Sequence, residues 1–313
     1  MSRRCCHVLP LSRETAAVSG LRWIQYLAAV AALGLPLFGV LASGGRRSGP
    51  GRRLAIAAGL VLAVAALGGL VAQTAMMAGG WTAGLDPSAL GYVVQSTSLG
   101  MAHVIRAGLA VIGVVFLLPG PGSRPGFTLA ILAFAGAVAS FAWSGHGAAT
   151  EGSAGFVHLT ADIVHLIAAA VWLGALVGFC LLLARPRPGD VEGTSRTLSG
   201  FAVLGTGAVA ALAITGAVNT FFLVGADGLG RITGSTWGVL LIVKLALFVL
   251  MLGLAAHNRF TLAPALSRAL DDGAGTDVLV RHLRLSVGLE MLAGIALLGV
   301  VAIMGVQMPP ASM

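Results

Sequence analysis

A row of ionisable side chains interrupts an otherwise apolar stretch, Phe156–Leu183, which reads FVHLTADIVHLIAAAVWLGALVGFCLLL. On a helix, His158, Asp162, His165 and Trp172 follow one another at steps of four, three and seven, so they share one face. Two more histidines, His103 and His146, lie in or beside neighbouring apolar stretches, as do Met76, Met77, Met304 and Met308. Imidazole with thioether is a ligand set for copper: soft sulfur suits Cu(I), and imidazole suits either oxidation state. Asp162, three residues before His165, could orient that imidazole through a hydrogen bond instead of binding metal itself. Dedicated calcium or magnesium sites want more carboxylates than this set holds, while zinc stays open on histidines alone.

Each of these residues also has a plainer use. A single intramembrane histidine often bonds a backbone carbonyl, which is the plain reading of His103 or His165 taken alone. Three imidazoles at one depth, His146, His158 and His165, are costly in a membrane without a use, and that favours the ligand reading. Met76 and Met77 read as packing, and Met304 and Met308, at i and i+4, fit packing or ligation equally. Arg106 and Lys244 read as counter-charges to Asp162 or to helix ends. Asn219 adds a polar side chain, Glu290 finds no partner by depth, and Trp172 reads as packing.

The elements that must position these groups are membrane helices. The chain has 313 residues, of which 57% are hydrophobic and only 10% charged, with a mean hydropathy of +0.95. Eight apolar blocks are long enough to cross a bilayer: Leu21–Ala42, Leu54–Ala78, Ser96–Leu118, Gly126–Ser144, Phe156–Leu183, Leu198–Val224, Trp237–Ala256 and Leu283–Val306. The expected fold is therefore all-α, a polytopic bundle of eight transmembrane helices spanning 21–308, with tails at 1–20 and 309–313. The first block has no small-residue cleavage site behind it and reads as a retained helix. Forty-five glycines suit close helix contacts in lipid. Cys5, Cys6 and His7 could bind a metal, although adjacent cysteines in a tail usually hold nothing fixed. Cys180 reads as a small buried apolar residue.

Eight spans put both termini on one side. Loops after spans one, three, five and seven hold twelve Lys and Arg, against five on the opposite side. The positive-inside bias then places those loops in the cytoplasm and both termini in the periplasm. The four arginines of the N-terminal region, Arg3, Arg4, Arg13 and Arg22, pull the other way. In this orientation, at ~1.5 Å per residue, His103, Asp162, His165 and Lys244 lie roughly 10–15 Å below the outer surface. His146, His158, Asn219 and the methionines gather at the same side. The basic excess belongs to loops and topology, not to nucleic acid.

His165–Gly174, HLIAAAVWLG, resembles the H-x6-W-x-G signature of the CopD family of bacterial copper-resistance membrane proteins. The likeness continues in SGH before that block, in G-x-x-N at Gly216–Asn219, in the block Trp237–Arg259 ending HNR, and in Leu289–Glu290 ahead of a Pro-ending tail. It covers about 196–310 most clearly. The family often has two glycines after the Trp, where this chain has Ala175. The resemblance implies a multi-pass inner-membrane protein that carries copper inward, beside a separate periplasmic CopC-like protein, since no such domain is present here. It does not say which histidines bind.

A copper-handling permease is thus the leading expectation, with His146, His158, His165, His103, Met76, Met77, Met304 and Met308 as candidate ligands. A haem-bearing electron carrier of the b-type cytochrome kind is the alternative, because paired histidines on neighbouring helices can ligate haem. A scaffold with packing histidines is the third reading. No nucleophile–base set, phosphate loop or ATPase motif is found, so no enzymatic activity is expected.

Overall fold

The computed structural model describes residues 12–42, 49–118, 124–145, 152–184, 190–225, 230 and 232–312. Among the described residues there is no strand, and eight helices are long and apolar enough to span a membrane. The order is α1 Arg13–Ala42, α2 Gly49–Ala78, two short helices α3 Trp81–Gly84 and α4 Pro87–Ser96, then α5 Ser98–Leu117 and α6 Arg124–Ala139. A 3-10 segment, Ser140–Ser144, extends α6. After it come α7 Gly152–Ala184, α8 Asp190–Val224, α9 Thr236–His257, a single π turn Asn258–Leu262, α10 Ala263–Asp271 and α11 Asp277–Met304.

The spans agree with the expected blocks, with longer helices at several ends. Helix α1 begins at Arg13, not Leu21, because Arg13–Gly20 contains no helix breaker before its last residue and carries Glu14 in the first turn. The stretch between spans two and three, expected as a loop, holds α3 and α4. Asp86 starts α4 by accepting from the amides of Ser88 and Ala89, and Pro87 follows at the first helical position. The hydroxyl of Ser88 also donates to Asp86, and these donors hold its carboxyl below the ordinary Asp range. Thr97 and Ser235 cap α5 and α9 in the same way.

Small residues set the packing. Helix α1 lies against α2, α7, α6 and α11, and α7 also meets α8 and α11. At the α1–α7 crossing Gly34 faces Gly174 so closely that a Cβ on Gly34 would reach 3.0 Å from the Gly174 carbonyl carbon. One turn on, Gly178 makes room for the ring of Phe38. Leu33, Leu62, Leu117 and Phe134 are fully enclosed, while Val64, Val203, Phe221 and Val249 point outward. Exposed large apolar side chains on helices of this length form a lipid-facing surface.

Candidate functional site

Polar side chains concentrate at the end of the bundle where α1 begins and α11 finishes. Helix α5 brings Arg106, which is fully buried, into a network with α1 and the end of span four. Its Nε donates to Ser140 Oγ at 3.1 Å, and one terminal nitrogen donates to Gln25 Oε1 at 2.8 Å. The other donates to Ser140 O at 3.1 Å and Ser144 Oγ at 2.8 Å. The guanidinium also sits 3.7 Å from the centre of the Phe141 ring. Of the two roles expected for Arg106, it takes the helix end; Asp162 is not among its partners.

His103 lies beside this network. Its Nδ1 donates to Leu99 O at 2.9 Å, because a carbonyl only accepts, and Nε2 is left with its lone pair. That atom faces Gly69, where a Cβ would stand 3.0 Å away. The plain use of an intramembrane histidine is thus realised by one nitrogen while the other stays available. His103, Gln25 and Arg106 line a small pocket together with Arg22 and Gln73.

Arg22 and Gln73 also belong to a larger cavity of about 360 Å³, bounded by Met76, Gln307 and Met308. The structure therefore brings Met76 and Met308 to one cavity, next door to His103. The other two methionines go elsewhere. Met304 packs with Val224, Trp237 and Leu241 in an apolar cluster, and Met77 is exposed. Arg22 donates to Ser144 O at 2.9 Å through one terminal nitrogen, and its other, Nη1, is buried without a hydrogen-bond partner.

Helices α7, α8 and α9 hold a second polar group at the same end. His158, buried, stacks on Phe222 with ring centres 4.7 Å apart and planes 9° apart. Asn219 donates to Asp162 at 3.3 Å, and Lys244 interacts with Asp162 electrostatically. His165 Nδ1 lies 3.0 Å from Thr215 Oγ1. The Thr215 hydroxyl gives its one hydrogen to Ala211 O at 2.5 Å, so it accepts from Nδ1, and the imidazole also bonds the backbone of Leu212. Asp162 does not orient His165; Thr215 does. Asp162 instead comes close to Gly145, where a Cβ would be 3.8 Å from its Oδ2. His146 lies outside the described residues, as do Cys5, Cys6 and His7.

Among the described residues, no three His, Cys, Asp or Glu side chains gather closely enough to hold a metal ion. His103 sits in the α1–α2–α5 pocket, and His158 and His165 on the α7–α8 face. Among the described residues, the expected imidazoles are therefore divided between that pocket and a helix face, with no single chelating centre.

Seven residues beyond His165, about 10 Å along α7, a third group appears that spacing alone did not assemble. Trp172 Nε1 donates to Glu290 Oε1 at 3.1 Å, and Asn258 Nδ2 donates to Glu290 Oε2 at 3.1 Å. Trp172 also packs edge-on against Phe248. So Trp172 packs, as expected, and in addition holds the carboxylate that had no partner by depth. Asn258 was missed because it follows the end of the apolar block; the asparagine of HNR was the available signal. Gln25, Ser140, Ser144 and Thr215 were missed because isolated small polar residues leave hydropathy unchanged.

An all-α bundle with eight helices long and apolar enough to span a bilayer defines a multi-pass membrane protein. Comparison with known proteins makes the class specific. Residues 13–156 match the copper resistance protein D-like N-terminal domain, and residues 195–304 match copper resistance protein D. The chain is 38% identical over 303 residues to copper resistance protein D of Pseudomonas syringae pv. tomato, covering 92% of this chain and 95% of that protein. It is 27% identical over 231 residues to the inner membrane protein YebZ of Escherichia coli (strain K12), covering 73% and 77%. No solved structure matches the chain. The chain belongs to the copper resistance protein D family.

Proposed function

We propose that this protein sits in the bacterial inner membrane, termini outward, and carries copper from the periplasm toward the cytoplasm. One observation carries the reading: the Met76–Met308 cavity shares Arg22 and Gln73 with the pocket of His103, whose Nε2 is left free. Thioethers at the entrance and an imidazole lone pair behind them form a succession of weak, soft ligands. Such a succession suits an ion that must leave as readily as it arrives. His165, held by Thr215, offers a further station on the α7–α8 face, and His146 lies in the sequence between α6 and α7. Copper is cargo here, delivered by a separate periplasmic copper-binding protein of the CopC kind. The homology to copper resistance protein D of Pseudomonas syringae supports copper as the ion.

The test is copper accumulation in cells expressing the full chain, measured by elemental analysis. His165→Ala and the double variant Met76→Leu/Met308→Leu should each lower accumulation at unchanged protein level. Accumulation equal to wild type in both would overturn the reading.

A further inference from the structure

The group around Glu290 has no task in the path just described, and its chemistry differs from that path. Glu290 is 2% exposed, and both its oxygens accept from neutral donors, the Trp172 indole and the Asn258 amide. Among the described residues no basic side chain makes an ion pair or hydrogen bond with it. Asn258, 7% exposed, turns its Nδ2 to Glu290 and leaves its Oδ1 buried without a partner. Ser286, 8% exposed and one turn before Glu290 on the same face of α11, has a buried Oγ that also lacks a partner. Buried polar atoms without partners are rare, and two beside one uncompensated carboxylate point to something that supplies positive charge there.

The backbone is built around this spot. Asn258 is the first residue of the π turn that separates α9 from α10. Single π turns inside helices occur disproportionately at functional sites, because the extra residue re-aims the side chains near it. The other ionisable groups nearby are accounted for. Cys180 on α7 is close enough to Glu290 to feel its charge. Arg259 spends its guanidinium on Ala202 O and Thr206 Oγ1 of α8. Lys244 interacts with Asp162, and His257 and Arg284 are exposed.

We propose that Glu290, Asn258 and Ser286 form a binding site for a small hard monovalent cation, a proton or a sodium ion. The available ligands are all oxygen: a carboxylate, an amide carbonyl and a hydroxyl. That set suits hard cations and does not suit Cu(I). Trp172, on the helix that carries His158, Asp162 and His165, ties the site to the copper-facing row through one indole hydrogen bond. If the protein moves copper as proposed above, the cation bound here is the coupling ion, and this second step rests on that reading.

The site is tested first without copper. Full-length protein labelled with 5-fluorotryptophan is placed in lipid nanodiscs, and Trp172→Phe assigns one of the five tryptophan resonances. The Trp172 line should move on titration with sodium at fixed pH if sodium binds, or with pH alone if a proton binds. Glu290→Gln should hold the line fixed, and the milder Ser286→Ala should shift the midpoint while leaving the fold intact. A line indifferent to both ions, or one that still moves in Glu290→Gln, overturns the site. Copper uptake into proteoliposomes with an imposed proton or sodium gradient tests the coupling. Wild type should respond to the gradient, and Glu290→Gln should lose the response; an unchanged response in Glu290→Gln overturns it. A wild type that moves no copper under any gradient sinks the transport reading and the coupling with it, while the fluorine titration decides the site separately.

Discussion

Replacing Gly174 with alanine should loosen the contact between α1 and α7 enough to disturb the polar row. A Cβ at Gly174 would stand 3.1 Å from Val30 O and 3.3 Å from Gly34 N, with Gly34 Cα closer still. Ordinary heavy-atom contact is about 3.5–4.0 Å. All three obstructions are backbone, so no side chain can swing aside, and the two helices must part by roughly 1 Å to regain ordinary contact. Overpacking of this kind costs about 1–3 kcal/mol, and the rigidity of backbone favours the upper figure. Alanine's helix propensity returns about 1 kcal/mol, leaving a net loss of roughly 2 kcal/mol. Gly253, in the interior of α9 with nothing within 4 Å of its would-be Cβ, isolates the propensity term. Gly253→Ala should therefore be neutral or slightly stabilising. Unfolding of the two variants in detergent, followed by near-ultraviolet circular dichroism, gives the comparison. Because Trp172 lies two residues from the contact, its bond to Glu290 should lengthen as well, and copper accumulation should fall. A Gly174→Ala protein as stable as Gly253→Ala would refute the close-contact argument.

Other expectations follow from single contacts. Arg106→Met removes donors from Gln25, Ser140 and Ser144 at once; at ~1–3 kcal/mol for each buried group left unpaired, it should destabilise by about 3 kcal/mol or more. Arg106→Lys should recover only part of that in the same unfolding assay, since an ammonium cannot span all four acceptors. The carboxyl of Asp86 is held below the ordinary Asp range by its donors, so its support of α4 is complete above pH ~4. That support is lost as pH falls through the depressed value. Asp86→Asn should remove this acid dependence, as read from the amide resonances of Ser88 and Ala89.

The spans were legible because hydropathy and length decide them. All eight expected blocks are helices, and the departures are at their ends. Asp86 and Pro87 did announce a helix start, but ten residues of mixed polarity between two membrane blocks look like loop to a hydropathy count. The candidate site was less legible, for a geometric reason. Spacing along one helix shows that His158, Asp162 and His165 share a face, but it cannot say which neighbour that face meets. Sequence proximity offers Asp162 as one way to orient His165, whereas the packing of α8 supplies Thr215 to His165 and Asn219 to Asp162. Glu290 had no visible partner because Trp172 and Asn258 arrive from two other helices, one by way of a π turn.

Helix α7 occupies an unusual place between the two regions that match the family. Those regions end at residue 156 and resume at 195, so almost all of the helix falls in neither. Yet it grips the first through Gly34 and the second through Phe222, Asn219, Thr215 and Glu290. The two regions are mated along a shared spine, whose His158, Asp162, His165 and Trp172 each meet the second of them. Should one half tilt against the other, the spine would have to roll, and the imidazoles and the indole would turn together like teeth on one shaft.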